Sequence, residues 1–215
     1  MPAIFAREDL RLWAPSNAAP ALDAKRVLDI AVSLTLIAVL LPVLALITLA
    51  VTMESRGPVL FCQRRTGAHG RIFAMLKFRS MHVLENGAAV VQATQNDPRV
   101  TRVGRVLRAT SLDELPQLFN VLLGEMSLVG PRPHAVAHDE FYGTRIANYA
   151  VRQRVKPGMT GWAQVNGARG ETPELRHMQA RVDLDAWYVA HHSFLLDLRI
   201  LGKTPLEVLK RRNAF

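Results

Sequence analysis

"IAVSLTLIAVLLPVLALITLAVTM", Ile30 to Met53, runs for 24 positions without a charged residue. A helix needs roughly 20 apolar residues to cross the hydrocarbon of a bilayer, and core helices of soluble proteins are usually shorter. The stretch therefore belongs in or on a membrane. Cationic side chains mark the cytoplasmic side of a crossing helix, yet Lys25 and Arg26 precede this one and Arg56, Arg64, Arg65 and Arg71 follow it closely. Both flanks ask for the same side, which favours a helix that enters, turns near mid-depth and returns over one that crosses. Pro42 stands at the middle, where it removes a backbone hydrogen bond and its ring collides with the carbonyl of Ala38. The reading is a re-entrant helix broken at Pro42, with Ser33 and Thr35 available to the freed carbonyls.

Around this helix the chain of 215 residues divides into a flexible lead-in (1–24, with Pro2, Pro15 and Pro20), the membrane helix (25–55) and a cytosolic domain (56–215). The acidic and basic residues within the first eleven positions argue against a secretory signal. Lys and Arg number 27 against 18 acids, a net charge of +9, which draws the chain toward nucleic acid, anionic lipid or phosphorylated ligands. Cys62 is the only cysteine, so an internal disulfide is excluded and a reducing compartment suits the polar part.

Downstream, "GPVLFCQRRTGAHGRIFAMLKFRSM" reads as two apolar runs around a turn with Gly67 and Gly70, a β-hairpin that sets Lys77 and Arg79 at a strand end. Residues 85–104 read as a loop. Helical patterns then cover about 103–107, 112–123, 134–150, 173–191 and 194–211. Thr172 before Pro173 and Thr204 before Pro205 each set a capping hydroxyl ahead of a first-turn proline, so helices are expected to begin there. The closing helices mix apolar faces with basic residues, as helices in an anionic membrane interface do, although core packing accounts for the pattern equally well. The fold class is α+β, mainly α: the membrane helix, a compact domain with a small hairpin, and amphipathic interfacial helices.

"TSLDELPQL", Thr110 to Leu118, then sets two acids at a helix start. Ser111 and Glu114 have capping-box spacing, which would account for Glu114 structurally, but Pro116 argues that the helix begins later. A helix N-terminus also attracts phosphate, so capping and function are evenly balanced on position alone. Cations tilt the balance. Arg132 is fixed between Pro131 and Pro133, Arg108 lies five residues before Asp113, and the hairpin brings Lys77 and Arg79. Such a set could neutralise a diphosphate while one carboxylate attacks it and the other holds a divalent metal ion.

The segments "KFRSM", "SLDELPQLFNVLLGEMSLVGPRP", "VKPGMTGWAQVNG" and "DLDAWYV" with "SFLLDL" together resemble the bacterial sugar transferases, the monotopic phosphoglycosyl transferases, from about Lys25 to the C-terminus. The resemblance implies transfer of a sugar 1-phosphate from a UDP-sugar to polyprenyl (undecaprenyl) phosphate. The reaction would pass through a covalent aspartyl phosphosugar, release UMP and use Mg2+. It implies Asp113 as nucleophile and Glu114 as its partner, both near the metal, with Lys77, Arg79, Arg108 and Arg132 on phosphates. It further implies a bacterial inner membrane protein on the cytoplasmic face, at the first step of polysaccharide synthesis. "GPRPHAVAHDEFY" is most similar to the exopolysaccharide-priming lineage and leans the donor toward UDP-glucose. Many relatives there carry further N-terminal membrane helices and a soluble domain, so the chain is expected to be a short form or a catalytic region.

Other features carry less. His134 and His138 lie one helical turn apart but lack a metalloprotease order. The glycines at 158, 161 and 167 permit tight backbone near a ligand without forming a known nucleotide fingerprint. Gln164 and Asn166 could contact the nucleotide or sugar, and a turn role suits them equally. Trp162 and Trp187 suit packing or the membrane interface. A membrane-tethered nucleic-acid binder and a non-catalytic scaffold are the alternatives. The first lacks a basic recognition helix or an aromatic RNA-binding strand, and no nucleic acid partner is expected. The second leaves the acid pair and the Pro-Arg-Pro unexplained. Anionic lipid is the expected surface, and self-association is left open.

Overall fold

The computed structural model describes residues 23–82, 94, 97–170 and 172–209. The lead-in, much of the loop expected after residue 84 and the basic C-terminal tail lie outside the described residues.

The apolar stretch forms helix α1, Ala24–Glu54, whose start is capped by the Asp23 side chain accepting from the Arg26 amide at 2.7 Å. It is long and apolar enough to cross a membrane. The break expected at Pro42 does not interrupt the helix, which runs through the proline. One missing i→i−4 bond is bridged by the bonds on either side when neighbouring turns are held. Nor do the hydroxyls serve the Ala38 carbonyl: Thr35 bonds Ala31, and Ser33 is fully buried with no hydrogen-bond partner.

One stripe of α1 carries Arg26, Asp29, Ser33, Ile47 and Val51, all buried against the domain, with Ile37 and Leu44 between them. The opposite side presents Leu34, Val39, Leu41, Leu46, Leu49 and Met53. Both ends are fastened to the same domain. Arg26 donates to the carbonyls of Val121 (2.6 Å) and Leu122 (2.7 Å), and Asp29 accepts from the Leu128 amide at 3.0 Å. At the other end the Arg79 guanidinium donates to the carbonyls of Val51 (3.2 Å), Ser55 (2.6 Å) and Pro58 (2.6 Å). Cations thus sit on carbonyls at or just beyond helix ends, where the helix dipole is negative. Gly57, at φ 125°, passes so close that an added Cβ would lie 2.6 Å from Arg79 Nη1.

The hairpin forms as read: β1, Leu60–Thr66, pairs antiparallel with β2, Ile72–Phe78, in a register running from Leu60↔Phe78 to Thr66↔Ile72. Helix α2, Arg102–Thr110, leads into a 3₁₀ turn, Leu112–Glu114, and then α3, Gln117–Leu123. The late start argued from Pro116 is observed, with Pro116 at the N-cap. Asn120, fully buried, ties α3 to β2 by accepting from the Leu76 amide (3.0 Å) and donating to the Ala74 carbonyl (2.8 Å).

A second small sheet was not foreseen. β3, Ser127–Val129, pairs parallel with β4, Gly158–Thr160. A Cβ on Gly158 would lie 2.1 Å from the Gly130 nitrogen, and one on Gly161 2.2 Å from the Gly130 carbonyl. These glycines therefore serve the approach of two backbones, one of them leading into Pro131-Arg132-Pro133, rather than contact with a ligand. Three-residue strands in a mainly helical chain have too little alternation to be read from sequence.

The helix expected over 134–150 is shorter: α4 covers Val136–Gly143, and a 3₁₀ stretch covers Tyr149–Arg154 after Asn148 turns left-handed at φ 63°. After the single turn α5, Trp162–Val165, come α6, Leu175–His191, and α7, Phe194–Leu209. Neither Thr-Pro pair begins a helix as expected. Helix α6 starts after Glu174 without a side-chain cap, and Pro205 lies inside α7. Thr204 instead bonds the Ile200 carbonyl and the Thr160 hydroxyl, both at 2.8 Å, fastening α7 to β4. The main core joins Phe73, Met75, Leu118, Val121, Val129 and Ile200. Trp162 packs on Trp187 at 4.7 Å, and His191 stacks on the far face of Trp187 at 4.5 Å. Helix α7 leaves Phe194, Leu195, Leu198 and Leu206 exposed.

Candidate active site

Asp113 and Glu114 lie in the 3₁₀ turn between α2 and α3. The capping box is not formed: Ser111 takes a left-handed conformation (φ 59°), makes no side-chain cap, and accepts from Arg169 Nη2. Glu114 turns away from the helix end toward two cations. Lys77 Nζ donates to its Oε1 at 2.9 Å, and Arg132 grips both oxygens, Nη1 reaching Oε2 at 3.2 Å and Nη2 reaching Oε1. Burial alone would raise the Glu114 pKa, but Arg132 and then Lys77 hold it well below the ordinary carboxylate value. Glu114 in turn raises the Arg132 pKa, while burial lowers that of Lys77.

Asp113 differs from Glu114 in its bonding. Its side chain is buried, and among the described residues no donor is hydrogen-bonded to its carboxylate. Desolvation raises its pKa; Lys77 opposes this, the charge on Glu114 adds to it, and Arg108 and Arg132 pull it back. Adjacent carboxylates in unlike environments, one fixed as an anion by two cations and one without a bonded donor, are a sign of divided chemical roles.

The structure brings together Lys77, Arg108 and Arg132 of the expected cations. It does not bring Arg79, whose guanidinium is taken up by the carbonyls at the end of α1, so its assignment to phosphate is corrected to a structural one. Gln164 and Asn166 also have local roles: Gln164 donates to the Met159 carbonyl at 3.0 Å and Asn166 to the Trp162 carbonyl at 2.8 Å. Two arginines were missed. Arg65 is held beside Pro133, its Nη1 donating to that carbonyl at 3.0 Å, and its pKa is lowered to about 10 by burial and by Arg132. Arg169, half-buried, feels the charges of Glu114, Arg132 and Asp113. Its place directly after the turn "VNGA" was the signal available in the sequence.

Behind Arg132 lies a buried polar network. Arg152 donates to the Arg132 carbonyl, to His134 Nδ1 at 2.6 Å, and to Asp185 Oδ2 at 2.9 and 3.2 Å. Tyr149 donates to Asp139 at 2.7 Å. With Nδ1 accepting, His134 is neutral, and burial with Arg152 lowers its pKa well below the usual value. Among the described residues no group of three or more His, Cys, Asp or Glu is arranged to hold a metal.

The family model for bacterial sugar transferases matches residues 21–211. A UDP-glucose:undecaprenyl-phosphate glucose-1-phosphate transferase of Escherichia coli is 51% identical over 191 residues, covering 89% of this chain and 41% of that protein. One of the same description from Caulobacter vibrioides is 51% identical over 191 residues, covering 89% of this chain and 72% of the relative. The exopolysaccharide production protein PSS of Rhizobium leguminosarum bv. phaseoli is 44% identical over 195 residues, covering 89% and 98%. The chain thus spans well under half of its Escherichia coli relative and nearly all of the Rhizobium one. With these matches, and with Asp113, Glu114, Lys77 and Arg132 in one buried cluster, the chain belongs to the bacterial sugar transferase family.

Proposed function

We propose that the chain transfers glucose 1-phosphate from UDP-glucose to undecaprenyl phosphate at a membrane surface, as a first step of polysaccharide synthesis. The single observation that carries the chemistry is the division within the dyad: Glu114 is saturated by Lys77 and Arg132, and among the described residues no donor is bonded to Asp113. An Asp113 carboxylate oxygen attacks the sugar-bearing phosphorus. The bond from that phosphorus to the bridging oxygen breaks, and UMP leaves with the electron pair. An acceptor phosphate oxygen then attacks the same phosphorus, the aspartyl bond breaks, and the product is the lipid diphosphate sugar with a regenerated carboxylate. Arg108, Arg132 and Arg169 lie near enough to act on the dyad's charge and supply the countercharge that a diphosphate requires.

The donor set suits Mg2+ only in the mode in which one or two carboxylates bind it and phosphates and water complete the shell. Asp113 would hold it there, with Glu114 joining only by giving up a bond to Lys77 or Arg132, and its chemistry would be neutralisation of phosphate charge.

The membrane reading rests on α1. Its two ends are fastened to the same domain through Arg26 and Arg79, while its outer face is apolar. A helix of 31 residues is roughly 46 Å long, so a perpendicular crossing would carry one anchored end, and the domain with it, through hydrocarbon. A helix that stays on one leaflet's side, with exposed Leu195 and Leu198 of α7 beside it, avoids this, and the cytoplasmic face of a bacterial inner membrane suits its cationic flanks.

The test is intact-protein mass after incubation with UDP-glucose and Mg2+ in the absence of acceptor. A hexose-phosphate adduct on wild type and none on Asp113→Asn is expected. Folded wild type that gains no adduct and releases no UMP when acceptor is added overturns the reading.

A further inference from the structure

Helix α6 carries Arg181 and Asp185 one turn apart on its buried face. Neither touches the dyad, yet Arg181 bonds the backbone around Arg169 directly and Asp185 reaches the backbone of Arg132 through Arg152. Asp185 holds Arg152, and Arg152 donates to the carbonyl of Arg132 and to His134 Nδ1, gripping the Pro-Arg-Pro segment from behind. Arg181 Nε donates to the Ala168 carbonyl at 3.1 Å and its Nη2 to the Gly170 carbonyl at 2.8 Å, bracketing Arg169 from both sides. Arg132 then closes on Glu114, and Arg169 closes on Ser111, the left-handed residue two positions before Asp113.

We infer that Arg181 and Asp185 are positioning residues of the transfer reaction: from one face of α6 they hold the two loops that bring Arg132 to Glu114 and Arg169 to Ser111 beside the acid dyad. The inference rests on the function proposed above. Two buried charges on one helix face are a poor investment for packing alone, because desolvation cancels much of what an ion pair gains and apolar residues would fill the space as well. A planar guanidinium that spans two carbonyls around a residue instead fixes that residue's backbone with little freedom left, and sub-ångström placement is what charge stabilisation of a transferring phosphoryl group needs.

The test is a pair of double-variant cycles on full-length protein, read as the rate of Asp113 adduct formation at saturating UDP-glucose, with thermal unfolding measured in parallel. Arg181→Lys keeps the charge but loses the fork. It is expected to slow adduct formation about tenfold in wild type and to add no further loss in an Arg169→Ala background. Asp185→Asn is expected to behave the same way against Arg132→Ala; where it does not fold, Asp185→Glu takes its place. A residue that only supports the fold would multiply its loss into both backgrounds. Losses that multiply, or a full rate in Arg181→Lys, overturn the inference while leaving the proposed function standing, whereas a wild type without adduct removes that function itself.

Discussion

Lys77 bonds Glu114 at 2.9 Å, although Asp113 is its immediate neighbour. Its effect on Asp113 is nonetheless the largest of those that lower the pKa of that acid. Asp113 has a raised pKa, so the attacking anion is lost as pH falls through a value above the ordinary 3.8. Removing the cation in Lys77→Met raises the value further and is expected to move the acid limb of adduct formation to higher pH. Removing the neighbouring anion in Glu114→Gln is expected to move it lower. Pre-steady-state adduct rates across pH check both directions, and limbs that stay in place would refute the coupling.

Arg132→Lys retains charge but cannot grip both oxygens of Glu114. Loss of an oriented donor from a charge-stabilising site costs about a hundredfold or more in rate. Adduct formation is expected to fall by that order with the unfolding temperature nearly unchanged, measured by rapid quench and by thermal unfolding in detergent.

Arg79→Ala should do the opposite. Its three bonds go to carbonyls at and just beyond the end of α1, so the loss removes a charged donor from all three, at about 2 kcal/mol or more. Denaturant unfolding is expected to show that loss, while adduct formation per folded molecule stays within about threefold of wild type.

Glycine substitutions separate close approach from backbone conformation. An added Cβ in Gly158→Ala meets the Gly130 backbone at 2.1 Å and is expected to cost about 3 kcal/mol or to prevent folding. In Gly167→Ala there is open space and only the φ of 88° is unfavourable, for about 1 kcal/mol. Comparing the two unfolding midpoints checks the difference.

His134 is neutral and its pKa lies well below 6.5, so the unfolded chain binds a proton that the folded chain refuses. Stability is therefore lost as pH falls below about 6.5. His134→Gln, which keeps an acceptor for Arg152, is expected to flatten that dependence between pH 6.5 and 5, as followed by unfolding midpoints.

The sequence made some of these elements legible and hid others for physical reasons. The hairpin showed because its two apolar runs flank a glycine turn, and the dyad because two adjacent acids share the sequence with Arg108 and a proline-flanked Arg132. Arg79 was misread because a cation beside a motif looks the same whether it serves phosphate or the carbonyls of a helix end; only the path of α1 decides. Thr204 failed as a cap because its hydroxyl found Thr160, 44 positions away. Arg65 and Arg169 went unnoticed for the same reason: their meeting with the dyad is made by tertiary packing, which no local pattern records.

Arg26 and Arg79 have a consequence for how this protein can be handled. Each guanidinium satisfies carbonyls across the boundary between α1 and the rest, Arg26 reaching out from the helix and Arg79 reaching in. Trimming the chain at residue 56 to obtain a shorter fragment would take Arg26 from the last carbonyls of α3, leave Arg79 only its bond to Pro58 and bare the faces under Ile47 and Val51. The apolar helix is thus a strut of the domain it precedes, and a graft onto another tether succeeds only when α1 travels with it as one cassette.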